Sequence, residues 1–175
     1  LWVGWPGEEL TELSEVEREY IFASFKKELC HPIELTEDEI KNYHYGFCNA
    51  TLWPLFHYFT QHSEFNIGYW EYYQKVNQKF AERILAIAKP NDTIWIQDYQ
   101  LLLLPKLLRD AQPELTIGFF LHIPFPSYEV LRILPWRKEI VEGMLGSDLV
   151  GFHTFDYERH FMSSVRRLLG YDNIL

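Results

Sequence analysis

Three apolar runs of the sequence each finish in a polar side chain that could take part in chemistry. These side chains are Asp98, His122 and His153. The carboxyl ends of parallel strands meet at one edge of a sheet, and open α/β folds bind their ligands there. A carboxylate accepts hydrogen bonds from hydroxyl groups, and an imidazole accepts or donates them. We therefore expect one cleft that suits an anionic or hydroxyl-rich ligand, although any one of the three could instead be a turn former.

The segments that follow two of these residues favour the same cleft. His122 is followed by IPFPS, whose two prolines stiffen the backbone where it leaves the sheet and also end the strand. Asp98 is followed by a helix start, whose N-terminal N–H groups would face the ligand.

An aromatic segment supplies a second group of candidates, because 12 of the 31 positions from 43 to 73 are Phe, Tyr or Trp. Aromatic residues at this density are typical of a core. We assign four of them to it: Phe47, Phe56, Phe65 and Tyr73. Trp53 differs, since it precedes Pro54 at an expected helix break, where an indole could offer its face to a sugar and its N–H to an oxygen.

The first part of the chain alternates between strand and helix signals. Residues 1 to 5 read as a strand. Residues 14 to 29 read as a helix, with Ser14 and Glu17 as a capping box at its start. The segment PIEL at 32–35 reads as a second strand.

Helices and strands continue to alternate afterwards. A second capping box, Thr36 with Glu39, opens helical sequence that extends to Tyr58. Residues 70–88 repeat apolar side chains every three or four positions, as a helix with one buried face does. The three apolar runs follow, at 93–97, 115–122 and 148–154. Continuous apolar strands separated by helices predict a doubly wound, Rossmann-like α/β fold with a parallel sheet.

Charge and hydropathy exclude two classes of partner. The net charge is −9, and residues 8 to 39, with 11 acids against 3 bases, carry −8 of it. Nucleic-acid binders need a surplus of Lys and Arg, so we expect no nucleic acid. The acidic segment keeps helical spacing of its apolar residues and reads as a solvated helix face. The longest aliphatic run, 101–104, ends at Pro105, so we expect no membrane span.

The cysteines and the ends of the sequence suggest context. Cys30 and Cys48 have no metal-ligand spacing and form no disulfide framework, which favours a reducing, cytoplasmic compartment. No signal-peptide pattern is present. Leu1 opens what reads as a strand already under way, so we expect residues 1–175 to be most of one domain of a longer protein.

Five segments carry a resemblance to a known family. They are LWVGWPG, YHYGFCNATLWPLFHY, TIWIQDYQLLLLPKLLR, IGFFLHIPFPSYEVLRILPWRKEI and DLVGFHTFDYERHF. In this order they resemble the trehalose-6-phosphate synthase family, retaining glycosyltransferases that join glucose from UDP-glucose to glucose 6-phosphate. The resemblance extends from residue 1 to about residue 170.

The resemblance implies a GT-B architecture, in which two Rossmann-like domains face each other across a cleft. Residues 1–175 would be the incomplete N-terminal, acceptor-side domain, and the second domain would lie outside them. It also implies no catalytic metal and no cofactor, with UDP-glucose as donor substrate. The cations for the two phosphate groups would come from a loop before residue 1 and from the second domain, so we expect the fragment to be inactive alone.

The resemblance also assigns roles to individual residues. Asp98 would hold hydroxyls of the acceptor glucose, and His122 would lie beside the reacting centre on the donor sugar; these are the two catalytic candidates. Trp53 would lie near the acceptor phosphate and Trp5 near the acceptor. His153 could contact the donor or be structural, and we include it among the substrate-binding candidates.

Four positions depart from the family pattern. His44 and Tyr45 occupy the place of a Tyr-Asn pair, so an imidazole replaces the hydroxyl expected near the acceptor phosphate; we expect both residues to bind substrate. Gln97 and Gln100 replace two histidines around Asp98, which keeps hydrogen bonding but removes any charge at lower pH.

Three functions remain open, in descending order of preference. The first is an active synthase domain. The second is a catalytically degenerate synthase-like domain that binds sugar phosphate or has a regulatory role, in a chain that continues into a phosphatase. The third is a related transferase with another acceptor, such as a cyclitol phosphate. A homo-oligomer and a trehalose-synthesis complex are both open as assemblies.

Overall fold

Two parallel sheets form the centre of the fold in the computed structural model, which describes residues 1–10 and 13–171. β1 pairs with β2, and a separate sheet has the order β3-β4-β5. The strands are β1 (Trp2–Gly4), β2 (Cys30–Pro32), β3 (Thr93–Gln97), β4 (Thr116–Phe120) and β5 (Leu149–Gly151). Parallel pairing requires crossover connections, and helices supply them.

Helices make up most of the remaining described residues. The α-helices are α1 (Glu15–Lys27), α2 (Glu37–Glu39), α3 (Trp53–Phe56), α4 (Ile67–Ile87), α5 (Leu104–Ala111), α6 (Tyr128–Leu131), α7 (Arg137–Met144) and α8 (Phe155–Leu169). A π-helix, Ile40–Leu52, joins α2 to α3. Two short 3-10 helices cover Thr60–His62 and Tyr99–Leu101.

The α/β class predicted from the alternating pattern is confirmed. The three apolar runs form β3, β4 and β5. Ile96 of β3 and Ile117 and Phe119 of β4 are at most 3% exposed, whereas no residue of β5 is fully buried. α5 follows β3 and packs against β4. A strand covered in this way needs no polar face, which explains why its sequence is apolar without interruption.

Both predicted capping boxes are present. Ser14 Oγ accepts from the Glu17 N–H at 3.4 Å, and the Ser14 N–H donates to the Glu17 carboxylate at 3.1 Å. Thr36 and Glu39 make the same reciprocal pair at the start of α2, at 3.3 and 3.0 Å. These bonds satisfy N–H groups that the first helical turn leaves without partners.

The second strand lies earlier than predicted. The sequence favours 32–35, whereas β2 spans Cys30–Pro32 and its pairing with β1 stops there. Ile33 and Leu35 are buried, at 5% and 0% exposure, but as core residues after the strand. Their apolar character therefore reflects burial, which hydropathy alone does not distinguish from strand pairing.

The helix break predicted at Pro54 is wrong. The π-helix continues directly into α3, and Pro54 lies in the first turn of α3, where a missing N–H is tolerated. The backbone N–H of Trp53 donates to the Cys48 carbonyl, five residues back, in the wider turn of a π-helix. Trp53 is nevertheless 45% exposed, because it lies on the outer face of this continuous helix.

The predicted aromatic core is confirmed with one exception. Phe47, Phe56 and Tyr73 are fully buried, and the apolar stripe of α4 is buried from Tyr73 to Ile84. Phe65 is 42% exposed, so its assignment to the core is wrong. It lies in the irregular connection before α4, where no regular element turns it inward.

The acidic segment and the hydropathy profile have simple counterparts in the structure. None of the residues of α1 is buried, as a solvated acidic helix requires. Residues 11 and 12 of this segment lie outside the described residues. In the part of the chain that the structure describes, no helix has the length and apolar content needed to span a membrane.

Candidate functional site

Asp98 lies directly after β3, where the chain leaves the sheet. Its N–H donates to the Phe120 carbonyl at 2.8 Å, which extends the contact with β4. Its Oδ1 accepts from the N–H groups of Tyr99 at 2.9 Å and His122 at 3.1 Å. Its other oxygen, Oδ2, has no hydrogen-bond partner among residues 1–10 and 13–171. The carboxylate is thus fixed through one oxygen, and the other oxygen has no partner among the described residues.

The backbone of Asp98 is strained. Its φ of 72° and ψ of 174° lie in a region that few residues except glycine adopt, at a cost on the order of 1–3 kcal/mol. Two buried side chains of α4 hold the turn that follows: the Tyr73 hydroxyl donates to the Tyr99 carbonyl at 2.8 Å, and the Asn77 amide donates to the Gln100 carbonyl at 3.1 Å. These bonds offset the strain and fix the direction of the Asp98 carboxylate.

His122 and His153 lie beside Asp98 at the same end of the sheet. The His122 Nε2 atom is 2.7 Å from the Gln97 Oε1 atom. The two imidazole rings are 5.6 Å apart between centroids, and Phe120 contacts both, at 4.8 and 5.1 Å. The structure therefore brings Asp98, His122 and His153 together, and we call these three residues the strand-end cluster.

Trp5, His44 and Tyr45 form a second group, which we call the π-helix cluster. The ring centroid of His44 is 5.0 Å from that of Trp5 and 5.0 Å from that of Tyr45. The Trp5 indole donates to the Glu8 carbonyl at 3.1 Å, and Tyr45 is 62% exposed. Burial lowers the pKa of His44 from its ordinary value, which favours the neutral imidazole. A bound phosphate would favour the charged form instead.

A buried carboxylate anchors the start of the π-helix. Glu39 is fully buried, and its two oxygens lie 3.0 Å from Lys75 Nζ and 2.6 Å from Lys79 Nζ. Burial by itself raises the pKa of Glu39, but the two ammonium groups and the Thr36 N–H together hold that pKa below its usual value. The ion pairs tie the π-helix to α4, since both lysines belong to α4.

The ring of Tyr99 lies between Trp53 and the strand-end cluster. Its indole is 4.1 Å from the His57 ring and 5.6 Å from the Tyr99 ring, and Tyr99 follows Asp98 directly. The Tyr99 hydroxyl donates to Asn49 at 3.0 Å. Burial raises the pKa of Tyr99 to about 12, so its hydroxyl stays protonated at neutral pH. Trp53 therefore offers a half-exposed indole face next to the turn that carries Asp98.

A largely apolar cavity of about 860 Å³ separates the two sheets. Its lining includes Trp2 and Trp5 on one side and Trp95 of β3 on the other. His44 and Gln97 line it as well, so it borders both the π-helix cluster and the residue bonded to His122. All seven side chains proposed from the sequence thus fall into the two clusters or, for Trp53, beside them.

Sequence reasoning did not identify Gln97 as a partner of His122. The available signal was its position as the last residue of β3, beside Asp98, but the pairing depends on β4 lying next to β3. The expectation for the helix start after Asp98 is also wrong in part. The Tyr99 N–H does not face a ligand, because the Asp98 carboxylate itself accepts from it.

The described residues offer hydrogen bonding and aromatic surface more than charge. One carboxylate oxygen, three imidazoles and two indoles suit a hydroxylated ring with an apolar face. Two arginines near the cleft are engaged: Arg132 pairs with Glu129 at 3.2 Å, and Arg137 donates to the Leu134 carbonyl at 3.0 Å. Within residues 1–10 and 13–171, no three His, Cys, Asp or Glu side chains are grouped as metal ligands.

Comparison with known proteins adds the family. The model of Glycosyltransferase family 20 matches residues 1–174. The alpha,alpha-trehalose-phosphate synthase (UDP-forming) of Pichia angusta is 50% identical over 175 residues, which cover 96% of this chain and 36% of that protein. The chain thus spans about a third of this relative, and it spans 23% of another curated relative.

Solved structures also resemble the chain. The N-terminal domain of Candida albicans trehalose-6-phosphate phosphatase matches with a TM-score of 0.84 and 35% identity, over 98% of this chain and 36% of that one. A Burkholderia xenovorans alpha,alpha-trehalose-phosphate synthase (UDP-forming), solved in complex with glucose-6-phosphate, matches with a TM-score of 0.76 and 37% identity, over 79% of this chain and 30% of that one.

Proposed function

Because the chain belongs to glycosyltransferase family 20, we propose that it forms the acceptor side of a trehalose-6-phosphate synthase site, which transfers glucose from UDP-glucose to glucose 6-phosphate with retention of configuration. Relatives are named as UDP-forming synthases, and one solved relative carries glucose-6-phosphate. The observation on this chain that carries the proposal is the strand-end cluster, with one Asp98 oxygen fixed by two backbone N–H groups and the other available.

In this proposal the chemistry depends on positioning and charge stabilisation rather than on a protein nucleophile. The acceptor's anomeric hydroxyl attacks C1 of the donor glucose on the face that UDP leaves. The new C1–O bond forms as the C1–phosphate oxygen bond breaks, and the acceptor proton passes to the departing phosphate. Asp98 would orient acceptor hydroxyls, and His122 would contact the donor sugar beside C1. Preorganised groups of this kind lower a barrier without rearranging during the reaction.

The π-helix cluster would bind the other part of the acceptor. His44 can donate to the phosphate of glucose 6-phosphate, and Trp5 and Tyr45 can pack against the sugar ring. Trp53 would close the acceptor pocket from the turn next to Asp98. We further propose that the reaction needs no metal and no cofactor, and that cations outside residues 1–175 neutralise both phosphates, as the family resemblance implies.

We also propose that residues 1–175 are an incomplete N-terminal domain of a GT-B protein and are inactive alone. Doubly wound folds of this type commonly have the strand order 3-2-1-4-5-6. The observed order, β2-β1 beside β3-β4-β5, fits this scheme with one strand lacking between β1 and β3. The 860 Å³ cavity has the backbones of β1 and β3 on its two sides, and the 53% exposed Trp95 lines it. A strand from outside residues 1–175 would join the two sheets there.

The experiment that tests this function is UDP release by the complete protein from UDP-glucose, with and without glucose 6-phosphate. We expect release that depends on glucose 6-phosphate and is strongly reduced in Asp98→Ala and His122→Ala. Asp110→Ala, on an exposed position of α5, is the matched control and should keep the activity. No release from a folded, complete protein would reject the synthase function.

A second function is favoured by one specific observation. The N-terminal domain of a trehalose-6-phosphate phosphatase matches this chain with a TM-score of 0.84, against 0.76 for the synthase solved with glucose-6-phosphate, at 35% and 37% identity. A synthase-like domain that binds sugar phosphate without catalysis, with a regulatory role in a bifunctional chain, would keep the aromatic pocket but lose histidines around Asp98. Gln97 and Gln100 fit that change. Binding of glucose 6-phosphate without UDP release would identify this function.

The identity of the acceptor can be tested in the same UDP-release assay. Release that depends on a cyclitol phosphate instead of glucose 6-phosphate would identify the protein as a related transferase.

We propose that the protein is cytoplasmic, because Cys30 and Cys48 are both unpaired thiols, which a reducing compartment maintains. Size-exclusion chromatography of the complete protein would show whether it forms a homo-oligomer or joins a larger complex.

A further inference from the structure

The bond between Gln97 and His122 determines which nitrogen of His122 carries a hydrogen. The Gln97 amide nitrogen donates to the Ile96 carbonyl at 3.2 Å, and its oxygen faces His122 Nε2 at 2.7 Å. Turning the amide over would place its oxygen against the Ile96 carbonyl oxygen, which is repulsive. An amide oxygen only accepts, so Nε2 of His122 must be the donor.

We propose that Gln97 is a positioning residue that holds His122 as the Nε2–H tautomer, so that Nδ1 of the neutral ring is a hydrogen-bond acceptor for a hydroxyl of the sugar ligand. The role of Nδ1 toward the sugar rests on the proposed function. The tautomer itself does not, since it follows from contacts within the chain.

The other groups around His122 leave Nδ1 available. Its backbone N–H is held by Asp98 Oδ1 at 3.1 Å, and its ring packs against Phe120 and lies 5.6 Å from the His153 ring. Among residues 1–10 and 13–171, no side chain or backbone group makes a hydrogen bond to Nδ1. The backbone and one edge of the ring are therefore fixed by Asp98 and Gln97, and the other edge is open.

The amide at position 97 also removes one source of pH dependence from this arrangement. The family resemblance places a histidine here, and a histidine could donate to His122 in one protonation state and accept from it in another. Gln97 has no ionisable group, so it accepts at every pH. The same ring orientation and tautomer should therefore persist wherever His122 is neutral.

The tautomer can be measured by two-bond ¹H–¹⁵N NMR on the complete protein labelled at histidine, with the His122 signal assigned by its loss in His122→Asn. We expect the Nε2–H pattern in the wild type and in Gln97→Glu, which keeps an oxygen acceptor. Gln97→Leu should show a mixture of tautomers or the Nδ1–H form. Gln78→Leu, an exposed glutamine of α4, is the matched control and should leave the His122 signal unchanged.

Kinetics then distinguish positioning from a general structural effect. In Gln97→Leu we expect kcat/KM for UDP-glucose to fall by about 5- to 20-fold, the value of one well-oriented hydrogen bond, with at least partial recovery in Gln97→Glu. An Nδ1–H pattern in the wild type, or an unchanged Nε2–H pattern in Gln97→Leu, would overturn the proposal. If the tautomer is as expected but no acceptor-dependent UDP release occurs, the proposed function fails and the positioning by Gln97 stands.

Discussion

The π-helix cluster borders the cavity directly and the strand-end cluster reaches it through Gln97, but different forces hold the two clusters in place. Around Asp98 and His122, hydrogen bonds set direction: two backbone N–H groups bind one carboxylate oxygen, and an amide binds one imidazole nitrogen. Around His44, the contacts are rings at 5.0 Å with tilted planes, and no hydrogen bond of the His44 ring occurs within residues 1–10 and 13–171.

The residues that hold the two clusters in place also differ in charge. Buried neutral groups, Tyr73 and Asn77, hold the turn after Asp98. A buried ion pair, Glu39 with Lys75 and Lys79, holds the start of the π-helix that carries His44. In the proposed function, directional and uncharged support suits Asp98, because a hydrogen bond to a sugar hydroxyl needs a fixed angle. Ring packing and a titratable anchor suit a wall that receives a sugar face and a charged phosphate.

The largest effect should come from Asp98. Asp98→Asn keeps a side chain that tolerates positive φ and a carbonyl oxygen for the Tyr99 and His122 N–H groups, but it removes the charge that strengthens a bond to a sugar hydroxyl. We expect acceptor-dependent UDP release by the complete protein to fall by about 10- to 100-fold, since hydrogen bonds to charged groups contribute about 1.5–3 kcal/mol. Asp110→Asn should keep full activity. Near-normal release from Asp98→Asn would show that the free oxygen does not serve the ligand.

The next largest effect should come from Tyr73, one of the two uncharged side chains that hold the turn after Asp98. The Tyr73 hydroxyl donates to the Tyr99 carbonyl and accepts from the Leu102 N–H at 3.0 Å. Tyr73→Phe leaves both buried groups without this partner, so we expect the free energy of unfolding to fall by about 1–3 kcal/mol, with reduced turnover because the Asp98 turn loosens. Urea unfolding measures the first effect and UDP release the second.

A tyrosine on the same helix provides the control for both measurements, stability and turnover. Tyr72 lies on α4, and its hydroxyl makes no hydrogen bond among residues 1–10 and 13–171, so Tyr72→Phe should change neither quantity. If Tyr73→Phe lowers stability while leaving turnover intact, the turn after Asp98 is not held for catalysis and the contrast between the clusters weakens.

A smaller, pH-dependent effect on the free energy of unfolding should come from the ion pairs of Glu39. Glu39→Gln removes the carboxylate between Lys75 and Lys79, and we expect a loss of about 1–2 kcal/mol at neutral pH, below the 3–5 kcal/mol of fully buried pairs because both lysines are partly exposed. The folded-state pKa of Glu39 lies below 4.5, so the stabilisation is present above pH 4.5 and is lost as the pH falls through the folded-state value.

The measurement is urea unfolding of wild type and Glu39→Gln at neutral pH and near pH 3. The difference in free energy of unfolding between the two proteins should shrink toward the acid end. Glu142→Gln, which removes a carboxylate from an exposed helix pair, should cost much less at either pH. An equal cost for both variants at neutral pH would remove the ion pair as the anchor of the π-helix.

The smallest effect should come from His44. Burial lowers the pKa of His44, which favours the neutral imidazole in the ligand-free protein, whereas a bound phosphate would favour the protonated form. We expect glucose 6-phosphate to bind about 3- to 10-fold more tightly at pH 6 than at pH 8, with proton uptake visible by calorimetry in buffers of different ionisation enthalpy. The His44→Gln protein retains only the titration of the phosphate itself. Identical pH dependence in both proteins would place the phosphate away from the π-helix cluster.

Local sequence signals predicted much of the fold. Capping boxes at Ser14 and Thr36, the apolar stripe of α4 and the three apolar strands all depend on residues within a few positions of one another, so the chain itself displays them. The register of β2, the π-helix and the exposure of Phe65 were not predicted. Each depends on pairing or packing with segments that are distant in sequence.

The candidate site divides along the same line. The sequence pointed to Asp98, His122 and His153 because each follows a strand signal, and to Trp53 because of its place before Pro54. It pointed to Trp5, His44 and Tyr45 only through the family resemblance. Neither route showed that Gln97 bonds to His122, because that bond joins the ends of two strands 25 positions apart. Neither route showed that Trp5 contacts His44.

The sequence by itself determined the α/β class, the family and the residue types at the strand ends, because these follow from local periodicity and from contiguous motifs. Only the tertiary structure decided which oxygen of Asp98 is available, which nitrogen of His122 must carry a hydrogen and which anchors hold the two clusters. Those properties belong to pairs of atoms brought within about 3 Å by β3, β4 and α4, and hydrogen bonds act only at such distances and angles.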